Sequence, residues 1–325
     1  MLIAAGALGL GLGLRLFARR LRKRPECAAP AEGPLGEPLG HLGAQSGTAE
    51  SYSPSLLFPV PRSLGRGLLE LETAALPFHG DDVWNCYEAS WLDAHGVPCR
   101  RVLELRVPCT SPNLVESKSL KLYLNSLNFH SFQTEARAIE TIATDVAGVV
   151  GAPVVVRVVE HEPPLLDESQ WSLLEGTAAR GGCLPLERGT APSLGPPDET
   201  LVRCLPEDAG YEVVRLRLAT HLLRTLCPVT SQPDWGTVLI EYEGAPLDRE
   251  GLLRYIVSLR REVGFHENAV ERIYLALVRR CAPARLVVMG RFLRRGGIDI
   301  NPVRCSSTEL AEQCAAAPQP RVIGQ

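Results

Sequence analysis

The chain has 325 residues, 45% hydrophobic and 22% charged, a length and balance that suit two ordinary domains with a sizeable buried core. Its formal net charge of −3 hides an asymmetry. Residues 1–24 hold six basic side chains (Arg15, Arg19, Arg20, Arg22, Lys23, Arg24) and no acid, so −3 becomes −9 without them, which argues against nucleic acid as a direct partner.

Residues 2–14 form an apolar Gly/Leu run, too short for a comfortable transmembrane helix and with its basic cluster on the wrong side for a secretory signal. Gly9, Gly11 and Gly13 imitate a dinucleotide-binding loop, but no strand–turn–helix unit surrounds them. Residues 25–50, rich in Pro, Gly and Ala, read as a disordered linker. For the first forty residues two readings stand, a weakly membrane-associating helix or a start site placed too early; no membrane partner is expected for the body of the chain.

From Ser51 the pattern is globular. Strands are predicted over 102–109 and 153–160, with a helix over 134–147 between them. A Pro/Gly-rich stretch (Pro185, Pro192, Gly195, Pro196, Pro197) then separates a second half with helices near 215–226, 248–262 and 267–281 and strands over 237–243 and 285–293. Residues 1–50 are thus set apart as extension and linker, 51–190 as a first module and 195–325 as a second.

The halves resemble each other. Glu116–Leu127 (ESKSLKLYLNSL) aligns on Asp248–Leu259 (DREGLLRYIVSL), which pairs Tyr123 with Tyr255, Ser126 with Ser258 and Leu127 with Leu259. Each segment is followed by a helix and an apolar β-rich run, as in a diverged tandem repeat. The copies differ in polar groups: Glu116-Ser117-Lys118 in the first faces Asp248-Arg249-Glu250 in the second, and only the second has His266-Glu267 after its Phe. Complementary losses of this kind are expected of a duplicated unit whose site lies between the copies.

The ten cysteines are irregularly spaced, with no CxxC pair, and no two histidines form HxH or HxxxH, so neither a disulfide framework nor a metal site is indicated and a reducing, cytoplasmic setting is expected. Only three of the 34 basic residues are lysines, and two of them, Lys118 and Lys121, stand close together, which reads either as chance or as a place that needs a compact ammonium and not a guanidinium. The densest chemistry lies in Cys227-Pro228-Val229-Thr230-Ser231-Gln232-Pro233-Asp234-Trp235-Gly236, where a thiol and a carboxylate share one loop. A helix over 215–226 would end at Cys227 because Pro228 cannot continue it, a position that does not by itself favour a reactive thiolate. His266-Glu267 reads either as an exposed helix cap or as a grip on a ligand with adjacent N–H donors. Arg294-Arg295-Gly296-Gly297 reads either as a charged turn or as a phosphate-binding loop.

The runs CPVTSQPDWG, VESKSLKLYLNSLN, FHENAVERI and RRGGIDINP together resemble the two-module NADPH-dependent 7-cyano-7-deazaguanine reductases, from about Ser51 to Arg304. That resemblance implies an α+β chain of tandem tunnelling-fold modules, antiparallel sheets backed by helices that associate into a barrel, with sites at module interfaces and a homodimeric assembly. It implies that Cys227 adds to the substrate nitrile as a covalent thioimide and that Asp234 shuttles protons. Val115, Glu116, Ser117, His266 and Glu267 would bind the deazaguanine, while Ser117, Lys118, Arg295 and Gly296 would contact NADPH, two of which are consumed per turnover on the way to queuosine. Two other readings remain: a zinc-dependent pterin cyclohydrolase or synthase of the same fold, and a non-catalytic nucleobase-binding module.

Overall fold

The computed structural model describes residues 51–71, 75–176, 195–205, 212–317 and 319–325. The expected extension and linker over 1–50, and Pro185 and Pro192 of the expected inter-module stretch, lie outside the described residues.

The described residues open with a 3-10 turn (Pro54–Leu56), β1 (Pro59–Pro61) and a short helix α1 (Arg62–Gly67), then a long hairpin of β2 (Asp81–Leu92) and β3 (Pro98–Pro108). Next come β4 (Asn113–Val115), helices α2 (Ser117–Ser126) and α3 (Glu135–Val150), β5 (Val155–Val158) and the two-residue β6 (Ser172–Leu173). A second hairpin, β7 (Val214–Leu226) and β8 (Pro233–Gly244), leads to helices α4 (Arg249–Ser258) and α5 (His266–Cys281), then β9 (Arg285–Phe292), β10 (Ile298–Cys305) and α6 (Thr308–Ala316). One eight-stranded sheet runs β5-β3-β2-β10-β9-β8-β7-β6, antiparallel except for the β6–β7 pair, while β1 and β4 pair separately. The sheet backed by helices agrees with the α+β class expected.

The helix expected over 215–226 is a strand, and with it the idea that a helix ends at Cys227 falls. Arg215 and Arg217 alternate with Leu216 and Leu218, the period of two that a pleated strand requires, and Val214–Leu226 finds a partner in Pro233–Gly244. Leu218, Leu222 and Leu226 also fall at helical spacing, which is why the local pattern misleads.

The repeat is visible in detail. Each hairpin carries a register shift at an equivalent place, between Cys86 and Ala89 in the first and between Thr220 and Leu223 in the second. Tyr123 and Tyr255 are both fully buried, and Ser126 Oγ and Ser258 Oγ each donate a 2.6 Å hydrogen bond to the carbonyl of that tyrosine. Each helix pair seals its own apolar core on one face of the sheet, around Leu120, Tyr123 and Ile142 in the first unit and Leu252, Tyr255 and Ile273 in the second. A third cluster, with Val83, Leu239, Val287 and Val303, occupies the opposite face beneath Leu310 of α6, as alternation along the strands demands.

β10 joins the two units by lying between β2 and β9. Beside it an entirely buried ion network crosses the seam: Arg62 to Asp82 at 2.5 Å, Arg304 to Asp82 at 2.8 Å and to Glu271 at 2.9 Å, and Arg66 to Glu271 at 2.7 Å. Burial alone would raise the Asp82 carboxyl, but Arg304 and then Arg62 outweigh it and hold it below its ordinary value.

Candidate active site

A cavity of about 390 Å³ opens between the two units, within the range of small-molecule sites. Its walls bring together Val115, Glu116, Ser117 and Lys118 from the start of α2, Cys227 and Asp234 from the β7–β8 hairpin, His266 and Glu267 from the start of α5, and Arg295 and Gly296 from the β9–β10 turn. Every residue to which the resemblance gives a binding or catalytic role therefore lines one cavity, while Arg294 and Gly297 of the candidate phosphate loop do not.

The hairpin sets the thiol. Leu226 N–H donates to Glu262 O at 2.8 Å and Gly264 N–H donates to Leu226 O at 3.0 Å, which pins the end of β7 to the segment before α5. The turn closes through Cys227 N–H to Gln232 O at 2.9 Å and Ser231 N–H to Cys227 O at 3.0 Å, with Ser231 in the left-handed region at φ 55°. Cys227 is a free, half-buried thiol. Asp234, opposite Thr225 in the ladder, is buried at 4% exposure. Arg295 Nη1 donates to its Oδ1 at 2.8 Å, and His266 Nε2 lies 3.5 Å from its Oδ2.

His266 and Glu267 open α5 without a side-chain cap. The His266 ring stacks on Phe292 at 4.0 Å and 2° between planes, and its Nδ1 is buried without a hydrogen-bond partner among the described residues. Glu267 is 3% exposed. Burial, then the nearby Asp82 carboxylate, pushes its carboxyl up to about 7, against the pull of Arg62 and His266. A buried acceptor held this way gains most from a ligand that brings its own N–H donors. Glu116 is placed differently: it caps α2, accepting from Lys118 N–H at 2.9 Å and Ser119 N–H at 2.7 Å, so each carboxylate oxygen has one donor and keeps a further lone pair for a ligand.

One end of the cavity is cationic and lined by backbone. Lys118 and Lys121 lie one helical turn apart on α2, and Gly296, next to Arg295, comes against Lys121, since a Cβ there would lie 3.1 Å from Lys121 Nζ. Gly296 and Gly297 turn at φ 60° and 80°, the left-handed region that favours glycine over any residue with a Cβ. Ser117, the lysines, Arg295 and this close-approach loop fit the phosphate groups of a dinucleotide. Lys121 stands out in the sequence only by its residue type, and its i,i+3 spacing from Lys118 is the signal that adds it to this wall. Trp84 on β2 has no such signal, and Gln232, which accepts from Arg295 Nη2 at 2.5 Å, has only its place in the Cys227–Gly236 run. Among the described residues no group of three His, Cys, Asp or Glu side chains could hold a metal ion, and no helix is long and apolar enough to cross a membrane.

Two family models match: the N-terminal part of nitrile reductase, 7-cyano-7-deazaguanine-reductase, over residues 48–158, and a QueF-like protein over residues 233–311. An NADPH-dependent 7-cyano-7-deazaguanine reductase from Desulfotalea psychrophila is 48% identical over 269 residues, covering 82% of this chain and 93% of its own. Proteins of the same name from Xanthomonas campestris pv. campestris and an Azoarcus species are 49% and 44% identical, over 82% and 85% of this chain and 92% and 91% of theirs. A solved archaeosine synthase QueF-like in the apo form covers 30% of this chain and 97% of its own, with a TM-score of 0.27 and 20% identity. On the extent and identity of these sequence matches, the chain belongs to the NADPH-dependent 7-cyano-7-deazaguanine reductase family.

Proposed function

We propose that this chain reduces the nitrile of 7-cyano-7-deazaguanine to the aminomethyl group with two NADPH, supplying queuosine biosynthesis, through a thioimide on Cys227. The observation that carries this reading is the meeting of Cys227, Asp234, Glu116 and Glu267 in one cavity. A nitrile carbon is a poor hydride acceptor. Addition of the Cys227 thiol forms a C–S bond, breaks one C–N π bond and places the thiol's proton on nitrogen, leaving a polarised C=N.

The other residues divide the remaining work. Glu267 and Glu116 accept N–H donors of the base from opposite walls and so orient the nitrile toward the thiol. Asp234, buried and bridged to His266 and Arg295, passes protons to the nitrogen. His266, stacked on Phe292, forms one side of the base pocket. Ser117, Lys118, Arg295 and Gly296, joined by Lys121, would hold the phosphates of NADPH, which supplies hydride when bound. The two hairpin–helix units are read as the tandem tunnelling-fold modules, 51–190 and 195–325, of a cytoplasmic homodimer whose sheets complete a barrel on association.

Intact-mass analysis tests the mechanism. Wild type mixed with 7-cyano-7-deazaguanine and no NADPH should gain the full mass of one substrate, and Cys227→Ala should gain nothing and oxidise no NADPH. An adduct on Cys227→Ala would sink the assignment.

A further inference from the structure

Behind the His266 wall lies a side chain that the reaction as drawn does not use. β10 pairs with β9 only over Val303–Cys305 and with β2 over Ile298–Pro302, so the two strands part beside Phe292. Gln325 fills that gap. Its Nε2 donates to Phe292 O at 3.1 Å and to Asn301 Oδ1 at 2.8 Å, and its Oε1 accepts from Val322 N–H at 3.0 Å. Asn301 Oδ1 in turn accepts from Phe292 N–H at 3.2 Å. Both backbone polar groups of Phe292 on this side are thus satisfied by side chains where a ladder would otherwise do it.

The same segment presses on the cavity wall. Gly324 adopts φ 101°, and a Cβ there would lie 3.2 Å from Cδ2 of Leu293, a cavity-lining residue. Arg294 Nη2 donates to Gln325 O at 3.1 Å, and Arg321 donates to the same oxygen. Gln325 is 5% exposed, and burying an amide is costly unless its donors and acceptor are engaged, as they are here.

We infer that Gln325 is a positioning residue for the deazaguanine pocket: it holds the Phe292–Leu293 turn, and through the Phe292 ring it sets His266 beside Asp234 and Glu267. The inference rests on the nitrile-reductase reading. Its chain of contact is short, since Phe292 stacks on His266 at 4.0 Å and His266 Nε2 stands 3.5 Å from Asp234. The Gln325 side chain bonds none of Lys118, Lys121 and Arg295, and the bond from Arg294 goes to its backbone oxygen, which alanine keeps, so its loss should separate base binding from cofactor binding.

The experiment compares full-length wild type, Gln325→Ala and Ile323→Ala, the last changing a side chain of the same segment that is 82% exposed. Adduct formation without NADPH is followed by intact mass across concentrations of 7-cyano-7-deazaguanine, alongside the NADPH KM in turnover. Gln325→Ala should raise the half-saturating concentration of the base about tenfold, equivalent to about 1.4 kcal/mol, with the NADPH KM unchanged. Ile323→Ala should match wild type. Should the alanine variant fail to fold, Gln325→Glu keeps the acceptor for Val322 N–H, loses both donated bonds and should show the same rise. A Gln325 variant that saturates like wild type, or only lowers the fraction of competent chains, overturns the inference alone. Absence of an adduct on wild type overturns the nitrile-reductase reading and this inference with it.

Discussion

The two hairpin–helix units share a backbone and differ in where their polar groups find partners. Leu92 and Leu226 end the first strands of their hairpins, and the next residue is Asp93 in one and Cys227 in the other. Asp93 satisfies its own turn, accepting from His95 N–H at 2.8 Å and Val97 N–H at 2.9 Å. Cys227 leaves turn closure to the backbone and keeps its thiol free. The second helices differ in the same way: Thr134 caps α3 by accepting from Arg137 N–H, whereas α5 starts at His266 and Glu267 with no side-chain cap. At these two places the first copy closes its turn and its helix start with its own side chains, whereas the second leaves Cys227 and the His266–Glu267 pair on the cavity wall.

Breaking the hairpin tips should give the largest contrast. Cys227→Ala should abolish NADPH oxidation, while Asp93→Ala, at the matching place, should keep wild-type kcat and lose only its two turn bonds. Equal losses of activity would show that the units share the chemistry. Next in size is the buried network that joins them. Arg304→Met leaves Asp82 and Glu271 without their shared cation, and should cost about 3–5 kcal/mol in urea denaturation. A cost below about 1 kcal/mol would mean that the network does not hold the seam.

Glu267 sharpens the comparison through pH. Its carboxyl is raised from 4.5 to about 7, so the folded chain binds a proton there that the unfolded chain has released. Its contribution to stability is therefore greatest below about 4.5 and is lost as pH rises toward 7. Base affinity should move the opposite way, rising through about pH 7 as the carboxylate forms. Glu267→Gln should remove that dependence and weaken binding roughly 10- to 150-fold, the worth of about 1.5–3 kcal/mol for a charged hydrogen bond. Calorimetric titration between pH 6 and 8 reads this, and a pH-independent wild-type affinity would contradict it. The smallest effect separates the two caps. Asp248 accepts from Gly251 N–H at 2.9 Å and lies outside the cavity, so Asp248→Ala should cost about 1 kcal/mol and leave base affinity alone. Glu116→Ala should lose a similar amount of stability and base affinity as well.

Much of the site was legible because its residues are contiguous. Cys227 and Asp234 share a hairpin, Glu116 to Lys118 share a helix start, and glycine at 296 and 297 announces a turn. The repeat was legible for a similar reason: Tyr123 and Ser126, like Tyr255 and Ser258, make bonds within one helix turn, which short-range spacing records. The strand at 214–226 was not legible, since its leucines fit both periods and only the partner strand 233–244 decides between them.

By itself, then, the sequence determined most of the local elements and the pairing of the two copies, both matters of near neighbours along the chain, while Leu218, Leu222 and Leu226 left one strand looking helical. Tertiary structure alone decided that β10 lies between β2 and β9, that Arg62, Asp82, Glu271 and Arg304 meet in the seam, and that Glu116 and Glu267 face one cavity within a single chain. The raised carboxyl of Glu267 belongs to the same class, because burial and the Asp82 charge exist only once distant segments have packed.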